Sequence, residues 1–298
     1  MTPAISTDGL TRSYRGQLVL DQVSINIEAE SITGLLGRNG AGKTTLLRIL
    51  AGQEYPSAGR VRVLGANPAE NDQILRRMVL IREDQSYPDV QVGHALRVAS
   101  WFYPNWSSEL ADSLVADFAL PRYRAIKKLS RGMRSALGIV IGLSARAEVT
   151  LFDEPYAGLD AVARQMFYDR LLEDYAEHPR TMLLSTHLID EAAGLLERVV
   201  VIERGHVVLE AAADDLRGVA TAVSGPVLAV NAFTAGHKVW HRRQISSQAS
   251  VVMVGQLNET DRVRADSLRL NLEPLTLQQL VVHAAGQPAT DTLERTSA

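Results

Sequence analysis

An α/β fold, with short buried strands alternating with helices, is predicted by three observations. Val149-Thr150-Leu151-Phe152, Thr181-Met182-Leu183-Leu184-Ser185 and Val199-Val200-Val201-Ile202 are brief apolar runs separated by helical stretches, the pattern of a parallel sheet covered on both faces. Gly37-Arg38-Asn39-Gly40-Ala41-Gly42-Lys43-Thr44 has the spacing G-x-x-x-x-G-K-[ST] and sits between the apolar run Ile32-Thr33-Gly34-Leu35-Leu36 and the helix-forming run Thr45-Leu46-Leu47-Arg48-Ile49-Leu50. Asp153-Glu154 follows directly on one of the apolar runs, where a strand end would present both carboxylates.

In chain order, Leu18-Val19-Leu20 reads as one strand, and the alternation of Val23, Ile25 and Ile27 with Ser24 and Asn26 reads as another. Gly52 is a stop for the helix after the phosphate loop, and Val61-Arg62-Val63-Leu64 is a strand behind the turn Pro56-Ser57-Ala58-Gly59. From about Val92 to Leu143 the character becomes helical, with Ser107-Ser108 as N-caps ahead of Leu110, Leu114 and Phe118. Glu203-Arg204-Gly205-His206 turns the chain into Val207-Val208-Leu209. From Asp215 the alternation stops, and Gly218, Gly225-Pro226 and Gly236 break the chain into short pieces, with a strand at Val251–Val254, a closing helix after Pro274 and a loose tail from Gln287. The 298 residues accommodate about two domains of ~150 residues each. The division expected is 1–214, with a helical subdomain at about 90–143, and a small α+β accessory domain at 215–298.

Composition narrows the class. The densest apolar stretch, Ala136 to Leu143, is far short of the ~20 residues of a membrane span. The opening Met1-Thr2-Pro3-Ala4 lacks the basic and apolar regions of a secretory signal. With no Cys there is no disulfide, thiolate metal site or Cys nucleophile, which fits the cytosol. A net charge of -3 argues against general polyanion binding, and nucleic acid is not expected as a partner.

The phosphate loop points to a nucleoside triphosphate. Its glycines let successive N–H groups turn inward around phosphate, and the helix behind it directs its positive end at the same anion. Gly37, Arg38, Asn39, Gly40, Ala41, Gly42, Lys43, Thr44 and Thr45 are the candidate cradle, with Lys43 reaching the β/γ-phosphates and the Thr44 hydroxyl placed to ligate Mg²⁺. Asp153 would hold the same ion, and Glu154 would polarise the attacking water as general base. Leu129-Ser130-Arg131-Gly132-Met133, at the head of an apolar helix, offers a second set of anion-binding groups. One chain needs a single phosphate cradle, so this one is read as capping the γ-phosphate held by a second subunit.

With these residues in place the sequence resembles the ATP-binding cassette (ABC) ATPases, phosphate-loop enzymes with an N-terminal antiparallel β subdomain and a helical insert. Their short signature has the form L-S-G-G-Q; here Arg131 and Met133 replace a Gly and the Gln, and Ser130 and Gly132 remain in place. The resemblance implies that Tyr14 stacks on adenine, that Ala157-Gly158-Leu159-Asp160 brings Asp160 to the subunit seam, and that Ser185-Thr186-His187 is a switch in which His187 contacts the γ-phosphate. It also implies a Gln touching Mg²⁺ ahead of the helical insert, in Leu80-Ile81-Arg82-Glu83-Asp84-Gln85. Spacing selects Glu83 and residue type selects Gln85; Glu83 is favoured, since a carboxylate oxygen serves a hard cation as well as an amide does. More narrowly, the chain resembles bacterial cassette subunits that work with separately encoded ABC-2-type permeases, including a Ytr-like group. That likeness implies ATP and Mg²⁺ as ligands, a homodimer or heterodimer of ATPase subunits, a transmembrane permease as partner, a cytoplasmic position on the inner membrane face, and export rather than import. A cassette ATPase without a permease, in translation or DNA maintenance, is the alternative. The aromatic cluster Trp101-Phe102-Tyr103-Pro104-Asn105-Trp106 is either core or an interaction anchor. The basic residues Arg122 to Arg134 and His237 to Arg243 are either solvated surface or contact sites.

Overall fold

The computed structural model describes residues 3–216, 218–255 and 257–286, so the expected tail lies outside the described residues. The chain divides into two compact units, Met1–Leu188 with Gly194–Glu210, and Ile189–Ala193 with Ala211–Ala298.

In the first unit β1 (Ile5–Tyr14) pairs antiparallel with β2 (Gln17–Ile27). Next come β3 (Ile32–Leu36), α1 (Lys43–Leu50) and β4 (Ala58–Val63), which pairs with the other side of β1 to complete a three-stranded sheet. The two strands expected between Leu18 and Ile27 are one. Gln22 adopts φ 49°, and the register of β1 with β2 shifts nearby, so the inward-facing phase changes between Leu20 and Val23 without ending the strand.

The chain continues through α2 (Asp72–Leu75), β5 (Met78–Arg82), α3 (Val92–Phe102), α4 (Ser108–Asp117), α5 (Arg131–Ser144), β6 (Val149–Asp153), α6 (Ala161–Glu177), β7 (Thr181–Thr186), α7 (Ile189–Ala192), β8 (Arg198–Glu203) and β9 (His206–Ala212). Six strands form the main sheet in the order β5-β6-β7-β3-β8-β9, and β5, β6, β7, β3 and β8 run parallel. Every residue of β3, β6 and β7 is buried, which is why these strands read as unbroken apolar runs. Ser107 caps α4 by accepting a hydrogen bond from the Leu110 N–H. Helix α5 is buried from Ser135 to Ser144 and so carries no polar stripe. Fully burying a side chain such as Phe152 or Phe167, whose rings meet edge to face at 5.5 Å, contributes roughly 1.5–3 kcal/mol.

The second unit contains α8 (Ala213–Leu216), β10 (Ala220–Pro226), α9 (Val227–Thr234), β11 (Val239–Ile245), β12 (Gln248–Val254), α10 (Glu259–Ser267), β13 (Asn271–Pro274) and α11 (Leu277–Gly286). Its four strands form an antiparallel sheet in the order β11-β12-β10-β13, around Val223, Val230, Phe233, Val251, Met253 and Leu270. Gly225-Pro226 is no break: both residues pair within β10, and Pro226 stands at the strand's last position, where its missing N–H is tolerated. The compact unit starts at Ala211, ahead of the expected division at 215, and takes in α7, which packs on α11. That pairing joins segments far apart in sequence and leaves no local signal. Among the described residues no helix is long and apolar enough to cross a membrane.

Candidate active site

The phosphate loop bridges the end of β3 and the start of α1. Gly42 is the N-cap of α1 with φ 109°, and a Cβ there would stand 2.7 Å from Leu20 Cδ2 and 2.9 Å from the Val19 carbonyl, so only glycine lets the loop pass this close to β2. The Lys43 ammonium is buried and donates to the carbonyl oxygens of Gly37 at 2.7 Å and Arg38 at 3.3 Å. Burial lowers its pKa from the ordinary lysine value, while the charges of Glu154, Asp153 and Glu203 act against that shift.

Strand register builds the rest of the site. Arg82 pairs with Asp153, Asp153 with Ser185, and Leu36 with Thr186, so the carboxyl ends of β5, β6, β7 and β3 form one edge. Ligands of open α/β sheets bind along that kind of edge. Asp153 is buried at the end of β6. Glu154 follows with φ 49°, a left-handed backbone that costs a non-glycine residue energy and is typical of functional turns. Its Oε1 lies 3.8 Å from Lys43 Nζ, and its Oε2 lies 2.5 Å from His187 Nδ1. A cavity of about 430 Å³ is lined by Asn39 to Thr45, Asp153, Glu154, Glu83, Asp84 and Val19.

Glu83 and Gln85 are thereby separated. Glu83 lines the cavity, and its N–H donates to the Asp153 carbonyl at 3.0 Å. Gln85 is not among the lining residues; its side-chain oxygen accepts from the Arg82 N–H at 3.3 Å. Val19 and Asp84 line the cavity without having been singled out from the sequence, and only the pairing of distant strands reveals them. Tyr14 does not line it: the Arg12 guanidinium lies 4.5 Å over its ring, and its hydroxyl bonds Glu54. Arg38 and Gly37 support Lys43 through their carbonyls.

The signature residues stand at the head of α5, outside the cavity lining. Ser130 is exposed, caps α5 by accepting from the Met133 N–H at 3.2 Å, and is absent from the cavity lining, as are Arg131, Gly132 and Met133. A Cβ on Gly132 would stand 2.5 Å from the Gly158 carbonyl, and Ser135 Oγ donates to the Ala157 carbonyl at 2.5 Å, so the head of α5 is seated on the loop that leads to Asp160. Asp160 is exposed and caps α6 through the Ala163 N–H. Arg131 pairs with Glu83, Arg122 with Asp112 and Lys127 with Asp89, which balances much of the first basic run within the chain. Arg242 and Arg243 of the second run lie on β11, an exposed edge strand, where charge discourages pairing with other chains. Trp101 and Phe102 are exposed, whereas Tyr103 is half-buried against Phe102.

A phosphate loop fed by a central parallel strand, with an acidic pair and a histidine delivered by the adjoining strand ends, defines a phosphate-loop nucleoside triphosphatase. A family model described as ABC transporter matches residues 20–157. The daunorubicin/doxorubicin resistance ATP-binding protein DrrA of Streptomyces peucetius is 28% identical over 97% of this chain and 94% of that one. The Nod factor export ATP-binding protein I of Paraburkholderia xenovorans is 33% identical over 70% of this chain and 71% of that one. The ABC transporter ATP-binding protein YtrB of Bacillus subtilis is 27% identical over 65% and 67%. A solved ATP binding subunit of an ABC transporter superposes with a TM-score of 0.65 at 26% identity, covering 72% of this chain and 91% of that one. The chain belongs to the ABC transporter family and is one of its ATPases.

Proposed function

We propose that two copies of this chain, or this chain and a similar subunit, close head to tail around two ATP molecules and drive a separate transmembrane permease, in the direction of export. The observation that carries the dimer is that Ser130, the exposed N-cap of α5, is not among the residues that line the cavity holding Lys43. A second copy supplies the missing cap, and the γ-phosphate that both faces bind links closure to nucleotide state. Export is supported by the drug-resistance and Nod factor export functions in the names of its relatives. The permease face is assigned to α3, where Val98, Trp101 and Phe102 are exposed together. Purifying the tagged chain from detergent-solubilised membranes should recover a polytopic membrane protein with it; recovery of the chain alone in every detergent would overturn the permease assignment.

Lys43 would bind the β/γ-phosphates, Glu154 would take the proton of the attacking water, and His187, beside Glu154, would report the γ-phosphate. The oxygen donors of Thr44, Asp153 and Glu83 line one cavity and suit Mg²⁺, a hard cation that is usually shared with nucleotide phosphates. When bound, Mg²⁺ would neutralise charge on the transferring phosphoryl group. Adenine stacking on the face of Tyr14 that Arg12 covers would displace the guanidinium.

Lys43→Ala should weaken ATP binding by about tenfold to a hundredfold, since a charge-assisted contact is lost and Asp153 and Glu154 then face the phosphates without a counter-charge. Equilibrium titration with a fluorescent ATP analogue measures this, and unchanged affinity would remove Lys43 from the phosphate site. Glu83→Ala should raise the Mg²⁺ concentration for half-maximal hydrolysis by about tenfold, with Gln85→Ala leaving it unchanged. The reverse pattern in a Mg²⁺ titration would transfer the metal role to Gln85.

A further inference from the structure

Tyr156 stands two residues beyond Glu154 and is only 3% exposed. Its phenol oxygen lies 2.6 Å from Thr186 Oγ1 and accepts the His187 backbone N–H at 3.2 Å, while Thr186 Oγ1 accepts the Leu188 N–H at 2.9 Å. One buried pair of hydroxyls therefore ties down three consecutive residues, Thr186, His187 and Leu188. The Tyr156 ring also lies 5.9 Å from the His187 ring, tilted against it, and 6.5 Å from the Tyr168 ring. His187 needs such support, because its side chain is half exposed and its Nδ1 meets Glu154 at the end of a turn held in a left-handed conformation. Burial pushes the Tyr156 phenol up to about 12, so it stays neutral and keeps its proton for the hydroxyl pair at physiological pH.

We propose that Tyr156 is a positioning residue for His187: its hydroxyl fixes the backbone of Thr186 to Leu188 and so holds the imidazole at Glu154, coupling the loop after the acidic pair to the γ-phosphate contact. This rests on the reading of His187 as that contact. A reacting group misplaced by a fraction of an ångström loses rate without losing substrate affinity. Tyr156→Phe keeps the ring and its packing but leaves the His187 N–H and the Thr186 hydroxyl without their partner.

The test compares Tyr156→Phe, Thr186→Val, His187→Ala and the double variant Tyr156→Phe/His187→Ala in the full chain, by steady-state ATP hydrolysis. Tyr156→Phe and Thr186→Val should each lower kcat by about tenfold with KM for ATP unchanged, and Tyr156→Phe should cause no further loss once His187 is Ala. Thr186→Val removes the same hydrogen bond from the other side, and so decides the matter if Tyr156→Phe does not fold. Wild-type kcat in both hydroxyl variants, or an equal fold-loss from Tyr156→Phe with and without His187, would overturn the proposal while leaving the His187 reading standing. A His187→Ala chain with wild-type kcat would overturn that reading itself, and the proposal with it.

Discussion

Replacing Glu154 with Gln is expected to lower steady-state ATP hydrolysis by about 10²-fold or more, while ATP binding persists and an ATP-dependent two-copy complex accumulates. Glutamine preserves the shape of the side chain and one oxygen at the end of β6, but its amide cannot take a proton from water. The surroundings strengthen the contrast. Glu154 Oε1 is 3.8 Å from the Lys43 ammonium and Oε2 is 2.5 Å from His187, so the carboxylate would compete with a bound phosphate for the same cation. Removing its charge would leave the Lys43 ammonium held by the Gly37 and Arg38 carbonyls without a competing carboxylate at 3.8 Å, and the affinity for ATP should hold or rise. Size-exclusion chromatography with Mg-ATP, paired with a phosphate-release assay, reads both effects. A Glu154→Gln chain that turns over ATP at the wild-type rate would remove Glu154 from the role of base.

The parts of this site that were legible in the sequence are those fixed by local chemistry. The run Ile32 to Leu36 reads as a strand because it is buried on both faces, and β3 has those same bounds. The phosphate loop and the acidic pair are contiguous, and their strand and helix context is written beside them. What stayed hidden depends on distant pairing. Val19 reaches the cavity because β2 passes the loop at Gly42, and Tyr156 matters because register sets the end of β6 beside the end of β7. Aromatic residues inside a loop also read as generic core until their hydroxyl partners are known. Glu83 and Gln85 were ambiguous for a related reason: spacing and residue type disagreed, and only the turn of the backbone after Arg82 separates the two side chains. In the second unit, Gly225 and Pro226 read as breakers, because the tolerance of a strand's last position for proline depends on which neighbours pair with it. The helix α7 is too short to show a pattern of its own, and its Asp190 meets Gln278 of α11 across 88 residues of sequence, so its grouping with the second unit could be seen only in three dimensions.

Ser130→Arg should abolish hydrolysis by the homodimer and leave ATP binding by the single chain intact, because Ser130 lies off its own chain's cavity and is assigned to the neighbour's nucleotide. A structural role has to be separated first. Ser130 caps α5 through the Met133 N–H, and losing a cap costs about 1 kcal/mol. Ser130→Asp retains a capping oxygen but sets a negative charge against the γ-phosphate, so it should be folded, able to bind ATP and inactive. Mixing then assigns the site to two chains. In a heterodimer of one Ser130→Arg chain and one Lys43→Ala chain, both lesions fall on one composite site, and the other site joins an intact phosphate loop to an intact signature. Activity recovered on mixing two individually inactive variants requires a site shared between chains. Loss of ATP binding by the isolated Ser130→Arg chain, with the Ser130→Asp chain behaving likewise while remaining folded, would place Ser130 at its own nucleotide and overturn the head-to-tail arrangement.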